Sequence, residues 1–173
     1  GNDNMGEATN ILTFDISQAG DTIYTGSGRV NGTILNQFSI SEHEGILRVA
    51  STSGQWARWW MEDPEPMSSS VVTFTRAVDV ETDQQILAEV GRVDNIAPEE
   101  RIWSARFDGD RCYLVTFRQI DPLWVIDMSD ETDPTILGEL EVPGVSTYIH
   151  PLSRDHLLTI GMGPRDADAT GLD

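Results

Sequence analysis

Residues 105–117 read ARFDGDRCYLVTF, and this stretch decides the fold. Two short apolar runs are joined by Asp108-Gly109-Asp110-Arg111. Glycine tolerates positive φ and aspartate bonds to its own backbone, so this composition is typical of a tight hairpin turn. Similar polar turns occur at 41–45 and 153–155, each between two apolar runs. The sequence therefore predicts three β-hairpins.

Apolar runs of strand length recur along the whole chain. They are rich in Val, Ile, Leu, Phe, Tyr and Thr, and Gly, Asp, Asn, Ser and Pro separate them. Helical periodicity is hard to find, so the pattern favours an all-β protein. The predicted strands are 11–16, 22–25, 33–40, 46–50, 71–75, 86–90, 102–107, 112–117, 123–128, 136–140, 146–152 and 157–160.

The hairpins belong to a larger repeat of four strands. Phe38, Phe107 and Leu152 occupy equivalent positions, 69 and 45 residues apart. The shorter spacing is the size of a four-stranded propeller blade, and the longer one is a blade with an insertion. We therefore predict a β-propeller fragment with about two complete antiparallel blades and two partial ones. The predicted parts are 1–35 (the end of one blade and a connector), 36–93 (a blade with a Trp-rich insertion at 51–70), 102–142 (a blade) and 146–173 (the start of the next).

Several stretches of this repeat carry a resemblance to a known family. They are RCYLVTFRQIDPLWVIDMSD at 111–130, ILGEL at 136–140, GVSTYIHPL at 144–152, LNQFS at 35–39 and GILRVA at 45–50. Over about residues 22–161 the chain resembles a bacterial secreted C-terminal β-propeller domain family, which is distantly related to WD40 repeats and has no agreed activity. The resemblance implies a propeller secreted by a bacterium or held at its cell envelope, with a leader upstream. It supplies no catalytic residues to transfer.

The charge of the chain limits its partners. Eleven basic residues, all Arg, stand against 29 acidic ones, which gives a net charge of −18. Clustered positive charge is what holds a phosphate backbone or an anionic membrane surface, so we expect no nucleic acid as a partner. No apolar stretch approaches the roughly 18 residues that span a bilayer, so we expect no membrane insertion in this segment. Cys112, the one cysteine, opens a predicted strand and reads as a buried packing residue.

Residues with catalytic potential do not form a recognisable motif. His43 and His156 fall in predicted hairpin turns and His150 in a predicted strand, without the paired spacing of zinc ligands. Gly26-Ser27-Gly28 is shorter than the Gly-x-Ser-x-Gly motif of hydrolases. We therefore expect no catalytic residues, and a protein that is not an enzyme.

Two acidic segments look like candidate sites, and the first of them invites a calcium interpretation. Asp166, Asp168 and Thr170 place oxygen-bearing side chains at alternate positions before a glycine, as at the start of a calcium loop. Thr replaces the third acid and no glutamate follows, so a loop without metal explains the segment equally well. No other cofactor is expected. Residues 127–134 read DMSDETDP, and we interpret them as a capped turn between two strands.

The Trp-rich insertion holds the candidate binding residues. Trp56, Trp59 and Trp60 cannot all be core residues by strand alternation, and Arg58 stands between them. Exposed indoles bind sugars or partner proteins, and arginine adds stacking or carboxylate contacts. Alternatively, the loop folds back and buries the indoles over a propeller face.

Two functional hypotheses follow from these observations. The first is a non-enzymatic platform, extracellular or at the cell envelope, that binds or scaffolds a protein or polysaccharide. The second is an envelope-associated hydrolase or lyase whose active site is completed by blades absent from this chain. Because partial blades expose unpaired edges and apolar faces, we also expect self-association or contact with remaining propeller blades.

Overall fold

The all-β prediction is confirmed by a computed structural model, which describes residues 7–54, 66–117, 121–142 and 144–163. These residues form twelve strands, and they contain no α-helix. The strands are β1 (Ala8–Asp15), β2 (Ile23–Asn31), β3 (Ile40–His43), β4 (Ile46–Ser53), β5 (Ser68–Val78), β6 (Gln85–Ile96), β7 (Arg101–Asp108), β8 (Arg111–Phe117), β9 (Asp121–Asp127), β10 (Thr135–Val142), β11 (Val145–Ser153) and β12 (His156–Met162).

The strands are arranged in three consecutive units. Strands β3 to β6 form an antiparallel meander, β7 to β10 form a second one, and β11 pairs with β12. The hairpin of β1 and β2 joins the first meander at its outer edge, because Ser27 of β2 pairs in parallel with Ile86 of β6. The segment predicted to end a preceding blade therefore shares a sheet with β3–β6.

The predicted strand at 33–40 is wrong. Thr33 makes only an isolated bridge to Thr52, and a single 3-10 turn, Gln37–Ser39, precedes β3. The side chain of Asn36 accepts a hydrogen bond from the backbone N–H of Phe38, a local contact that competes with strand pairing. The chain therefore bends here and brings Phe38 to the start of the first unit.

Strands β4 and β5 extend further than the sequence predicts. Ser51 pairs with Ser70 and Ser53 with Ser68, so residues at both ends of the predicted 51–70 insertion are in the sheet. Hydroxyl contacts across the pair, such as Thr52 Oγ1 to Ser69 Oγ at 3.1 Å, support this extension. The connection between the two strands consequently begins at Gly54.

The core lies between the faces of successive units. Cys112 and Leu114 of β8 pack with Val71 and Ile96 of the first unit. The alternate residues Tyr113 and Val115 pack with Ile149 of β11 on the opposite face. Side chains alternate across a strand, so β8 is buried on both faces because a unit covers each side. The prediction that Cys112 is a buried packing residue is confirmed, since its side chain is fully buried.

The two outermost hairpins leave apolar faces uncovered. On β1 and the residue after it, Leu12, Phe14 and Ile16 are at least half exposed. On β12, Leu158, Ile160 and Met162 repeat this pattern at alternate positions. Alternation places each set on one face of its hairpin, so each end of the described array presents an apolar surface.

Candidate binding site

The residues predicted to bind a partner or a metal fall on parts of the chain outside the description. Trp56, Arg58, Trp59 and Trp60 lie between Gly54 and Pro66, where the structure describes nothing. Asp166, Asp168 and Thr170 lie beyond Gly163, the last described residue. Both sites stay predictions. Within the described ranges, no group of three or more His, Cys, Asp or Glu side chains could hold a metal ion.

The three histidines occupy separate places. His43 pairs with Ile46 at the end of β3, and His156 pairs with Ser153 at the start of β12, so neither lies within its turn as predicted. The first turn contains only Glu44 and Gly45, with φ of 50° and 88°, which explains the tightness of this hairpin. His150 lies in β11, as predicted.

A cleft of about 520 Å³ lies between the first and second units. The cleft is lined by His43 and four acidic residues, and by apolar residues that include Ile46, Val90 and Met128. The acidic residues are Glu44, Asp110, Asp130 and Glu131. Arg48 is buried close to this cleft, with Nη1 3.9 Å from Glu131 Oε1, and the same oxygen lies 3.6 Å from His43 Nδ1.

Arg48 connects the two units. Its Nη1 donates to the carbonyl of Gly109 in the second unit, and its Nη2 donates to Ser41 Oγ in the first. The guanidinium also lies 5.2 Å from the centre of the Phe107 ring. Burial lowers the pKa of Arg48, and the charge of Glu131 opposes this change.

The backbone around Glu131 also makes close contact with the first unit. Thr73 Oγ1 donates to the Glu131 carbonyl at 2.6 Å. A Cβ at Gly91 would collide with that same carbonyl, so glycine is required for the close approach. Thr73 and Gly91 of the first unit therefore hold the backbone of Glu131 in close contact beside the cleft.

The segment at 127–134 is the capped turn that the sequence predicts. The N–H of Ser129 donates to Asp127 Oδ1, and the N–H and hydroxyl of Thr132 both donate to Asp130 Oδ1. These bonds favour the ionised carboxylates and lower the pKa of both aspartates, mainly through Ser129 for Asp127 and through Thr132 for Asp130. The carboxylates of Asp127 and Asp130 therefore stabilise the turn by accepting hydrogen bonds from its own residues.

A second group of side chains comes together from the 3-10 turn before β3 and from strands β7 and β11, the first strands of the second and third units. Strand β7 contacts both the 3-10 turn before β3 and strand β11. Arg106 on β7 lies over the ring of Phe38, 5.4 Å from its centre, and the Phe38 ring meets Tyr148 of β11 edge-to-face at 5.8 Å. The Tyr148 ring stacks on His150 at 6.3 Å. We call Phe38, Arg106, Tyr148 and His150 the first-strand cluster.

Arg106 stands apart from the other described arginines. Four of them have polar partners, namely Arg48, Arg92, Arg111 and Arg154. Three are exposed to solvent, namely Arg29, Arg76 and Arg101. Arg106 is only partly exposed, its Nε is buried without a hydrogen-bond partner, and no ion pair joins it to a described residue.

Sequence reasoning missed the first-strand cluster because its members are far apart in the chain. The usable signal was the repeat itself, since the hairpins that close at His43, Asp108 and Ser153 align the first strands of the units. In this alignment Glu42, and not Phe38 as predicted, is equivalent to Phe107 and Leu152. That equivalence did not show which side chains of those strands would meet.

The meanders of four antiparallel strands, stacked face to face, are the architecture of propeller blades. A family model described as a beta propeller domain matches residues 1–172. The chain belongs to the beta propeller domain family. The predicted β-propeller fragment is thereby confirmed.

Two curated relatives extend this family assignment. An uncharacterised protein of Methanocaldococcus jannaschii is 37% identical over 146 residues, which is 84% of this chain and 21% of that protein. An uncharacterised protein of Archaeoglobus fulgidus is 35% identical over 155 residues, or 90% of this chain and 21% of that protein. The propeller chain thus spans about a fifth of the length of the curated relatives it matches.

These relatives correct the predicted origin and location. Both come from archaea, so the prediction of a protein secreted by a bacterium or held at a bacterial envelope is wrong. The resemblance identified the fold, but a shared fold carries no information about compartment. Across the described residues, no helix combines the length and apolar character that crossing a membrane requires.

Proposed function

We propose that this propeller segment is a non-enzymatic platform that binds a protein or polysaccharide. The first-strand cluster is the observation that carries the proposal. Two aromatic rings, an imidazole and an arginine without a polar partner among the described residues meet where three units converge. Aromatic and arginine side chains are enriched at binding surfaces, because they combine apolar area with directed polar contacts.

A binding screen with matched aromatic variants tests this proposal. The labelled chain is applied to arrays of oligosaccharides and immobilised proteins, beside Tyr148→Ala and Tyr24→Ala. Tyr24 is the control, because it forms a similar edge-to-face pair with Phe14 at 6.2 Å, on the outer hairpin. Binding that Tyr148→Ala loses and Tyr24→Ala retains supports the platform. Binding unaffected by Tyr148→Ala contradicts it.

The Trp-rich insertion is a second proposed part of the platform. Replacing Trp59 and Trp60 by Ala should leave the melting temperature unchanged and abolish binding. A large loss of melting temperature would instead support the alternative in which the indoles pack over a propeller face.

A calorimetric titration at millimolar calcium tests the proposed calcium site at Asp166, Asp168 and Thr170. If no heat of binding is measured, the calcium proposal is wrong.

The enzyme alternative is favoured by one contact. Ser153 Oγ lies 3.1 Å from His156 Nδ1, which is the geometry of a nucleophile and a base. The pair is exposed and bridges a two-residue turn, and no described carboxylate accepts a hydrogen bond from His156 to orient it. Ester hydrolysis that disappears in Ser153→Ala would establish the alternative.

We also propose that further blades, or a second copy, cover the apolar faces of the outer hairpins. The alternating exposed residues of β1 and β12 support this proposal, since large apolar patches are uncommon on monomers. Light scattering of the isolated chain should show association that increases with concentration. Replacing Leu158 and Ile160 by Ser should reduce it.

A further inference from the structure

We infer that the first-strand cluster binds a sugar that carries a single carboxylate. This inference rests on the proposed platform function and names the chemical class of its ligand. It starts from Arg106, whose guanidinium is only partly exposed, has a buried Nε without a partner, and forms no ion pair with a described residue.

A carboxylate is the group that fits this arginine. A guanidinium presents a planar fork of N–H donors, and carboxylates accept from it through two parallel bonds. Arg48 has a similarly buried Nε, so the feature that sets Arg106 apart is its terminal nitrogens, to which no described residue offers an acceptor. The chain has 29 acidic residues, so a carboxylate from the protein itself is a readily available partner for an arginine with a structural role.

The aromatic rings of the first-strand cluster favour a sugar as the bearer of that carboxylate. The rings of Tyr148 and His150 are nearly parallel, with an angle of 16° between their planes and 6.3 Å between their centres. Tyr148 Oη and His150 Nδ1 lie 3.4 Å apart, within hydrogen-bond distance of each other, and both atoms can also exchange hydrogen bonds with the hydroxyl groups of a ligand. An apolar face with polar atoms at its edge matches a pyranose ring, which has C–H groups on its faces and hydroxyls around them.

The overall charge limits the ligand to a single carboxylate. A net charge of −18 repels an extended polyanion. A single carboxylate in direct contact with Arg106 is attracted by the guanidinium, and this short-range attraction outweighs the repulsion from more distant acids. At physiological salt, charges more than about 8 Å apart are largely screened, so the nearest cation decides the binding of a small ligand.

The experiment compares D-glucuronic acid, D-glucose and acetate as probes of the full chain, with binding followed by NMR titration. D-glucuronic acid and D-glucose differ only in the carboxylate, and acetate carries the carboxylate without the ring. The expected result is that glucuronate binds about tenfold more tightly than glucose, as a charge-assisted bond to arginine would produce. Acetate should bind more weakly than glucuronate.

Variants separate the roles of charge and ring. Arg106→Gln should remove the preference for glucuronate, and Arg106→Lys should retain only part of it, because an ammonium lacks the planar fork. Tyr148→Ala should weaken glucuronate and glucose alike. Arg76→Gln is the matched control, since Arg76 is exposed on β5, outside the cluster, and its replacement should change nothing.

The outcomes distinguish this inference from the platform proposal. Equal affinity for glucuronate and glucose, lost in Tyr148→Ala, would overturn the inference and leave the platform intact. Glucuronate binding that is unchanged in Arg106→Gln would overturn the inference as well. If none of the probes binds to the wild-type chain, the acidic-sugar assignment is wrong, and the array screen alone decides the platform. Circular dichroism of each variant checks that the fold is retained.

Discussion

Arg48 and Arg106 make the same aromatic contact in two different regions. The guanidinium of Arg48 lies 5.2 Å from the Phe107 ring centre, and that of Arg106 lies 5.4 Å from the Phe38 ring centre. In both residues Nε is buried without a hydrogen-bond partner. The difference lies in the remaining nitrogens, because those of Arg48 reach Gly109 and Ser41 while no described residue hydrogen-bonds to Arg106.

This difference separates a structural arginine from one that is available to a ligand. Arg48 is almost fully buried, at 2% exposure, and its contacts join two units. Arg106 lies where three units meet, and none of its nitrogens has a hydrogen-bond partner within the described ranges. Removing the side chain should therefore affect stability in the first region and binding in the second.

The largest effect is expected for Arg48→Ala. The change leaves Glu131 beside the cleft without its cation and opens a cavity against Phe107, so the free energy of unfolding should fall by about 3 kcal/mol. Urea denaturation followed by tryptophan fluorescence measures it. A loss as small as that of an exposed arginine, such as Arg29→Ala, would remove the structural role of Arg48.

A smaller loss is expected for Gly91→Ala, which tests the same contact between units without changing charge. The added Cβ would meet the carbonyl of Glu131, so the 131–132 turn must move away from β6. Overpacking of this kind costs about 1–3 kcal/mol. Gly138→Ala is the matched control, because a Cβ there meets nothing within 4 Å. Equal unfolding free energies for the two variants would contradict the close approach.

Acid should produce a gradual loss of stability. Backbone and side-chain donors hold the pKa of Asp79, Asp127 and Asp130 below the ordinary 3.8. A carboxyl whose folded pKa is depressed contributes stability above its unfolded pKa and loses it as pH falls through the folded value. Unfolding free energies measured from about pH 5 to about pH 2 should therefore decline. The decline should be shallower in Asp127→Asn, and an unchanged slope would show that this carboxylate contributes little.

The smallest effect on stability is expected for Arg106→Leu. The replacement removes a donor that has no partner and retains apolar contact with Phe38, so unfolding free energy should change by less than about 0.5 kcal/mol. The same denaturation assay compares the unfolding free energy of Arg106→Leu with that of Arg48→Leu. A loss equal to that of Arg48→Leu would show that Arg106 has a structural role.

Much of the fold could be predicted from local sequence. The turn at Asp108–Arg111 and the alternation of apolar residues in β8 identify a hairpin without knowledge of its neighbours. The exception at 33–40 has a local cause, because the side chain of Asn36 bonds to the backbone two residues later. Predicting it requires weighing one capping contact against a run of apolar residues that also suits a strand.

The candidate site could not be predicted in the same way. The indoles near Trp59 could be predicted as a binding site because they are close together in the sequence. Phe38, Arg106 and Tyr148 come from three different units. From the sequence alone, Arg106 is indistinguishable from an ordinary polar residue on the outer face of a strand with alternating apolar residues. Its lack of a partner is a property of its neighbours, which the sequence order does not reveal.

The sequence by itself determined the strands, the tight turns, the repeat of units and the strongly acidic surface, because these depend on contacts between residues close in the chain. Only the tertiary structure decided which faces of the units meet, which groups bind Arg48, and that Arg106 has no polar partner in the described part of the chain. The physical reason is that burial and hydrogen-bond satisfaction depend on packing between units, and packing brings together residues whose separation in the chain is far longer than any local pattern.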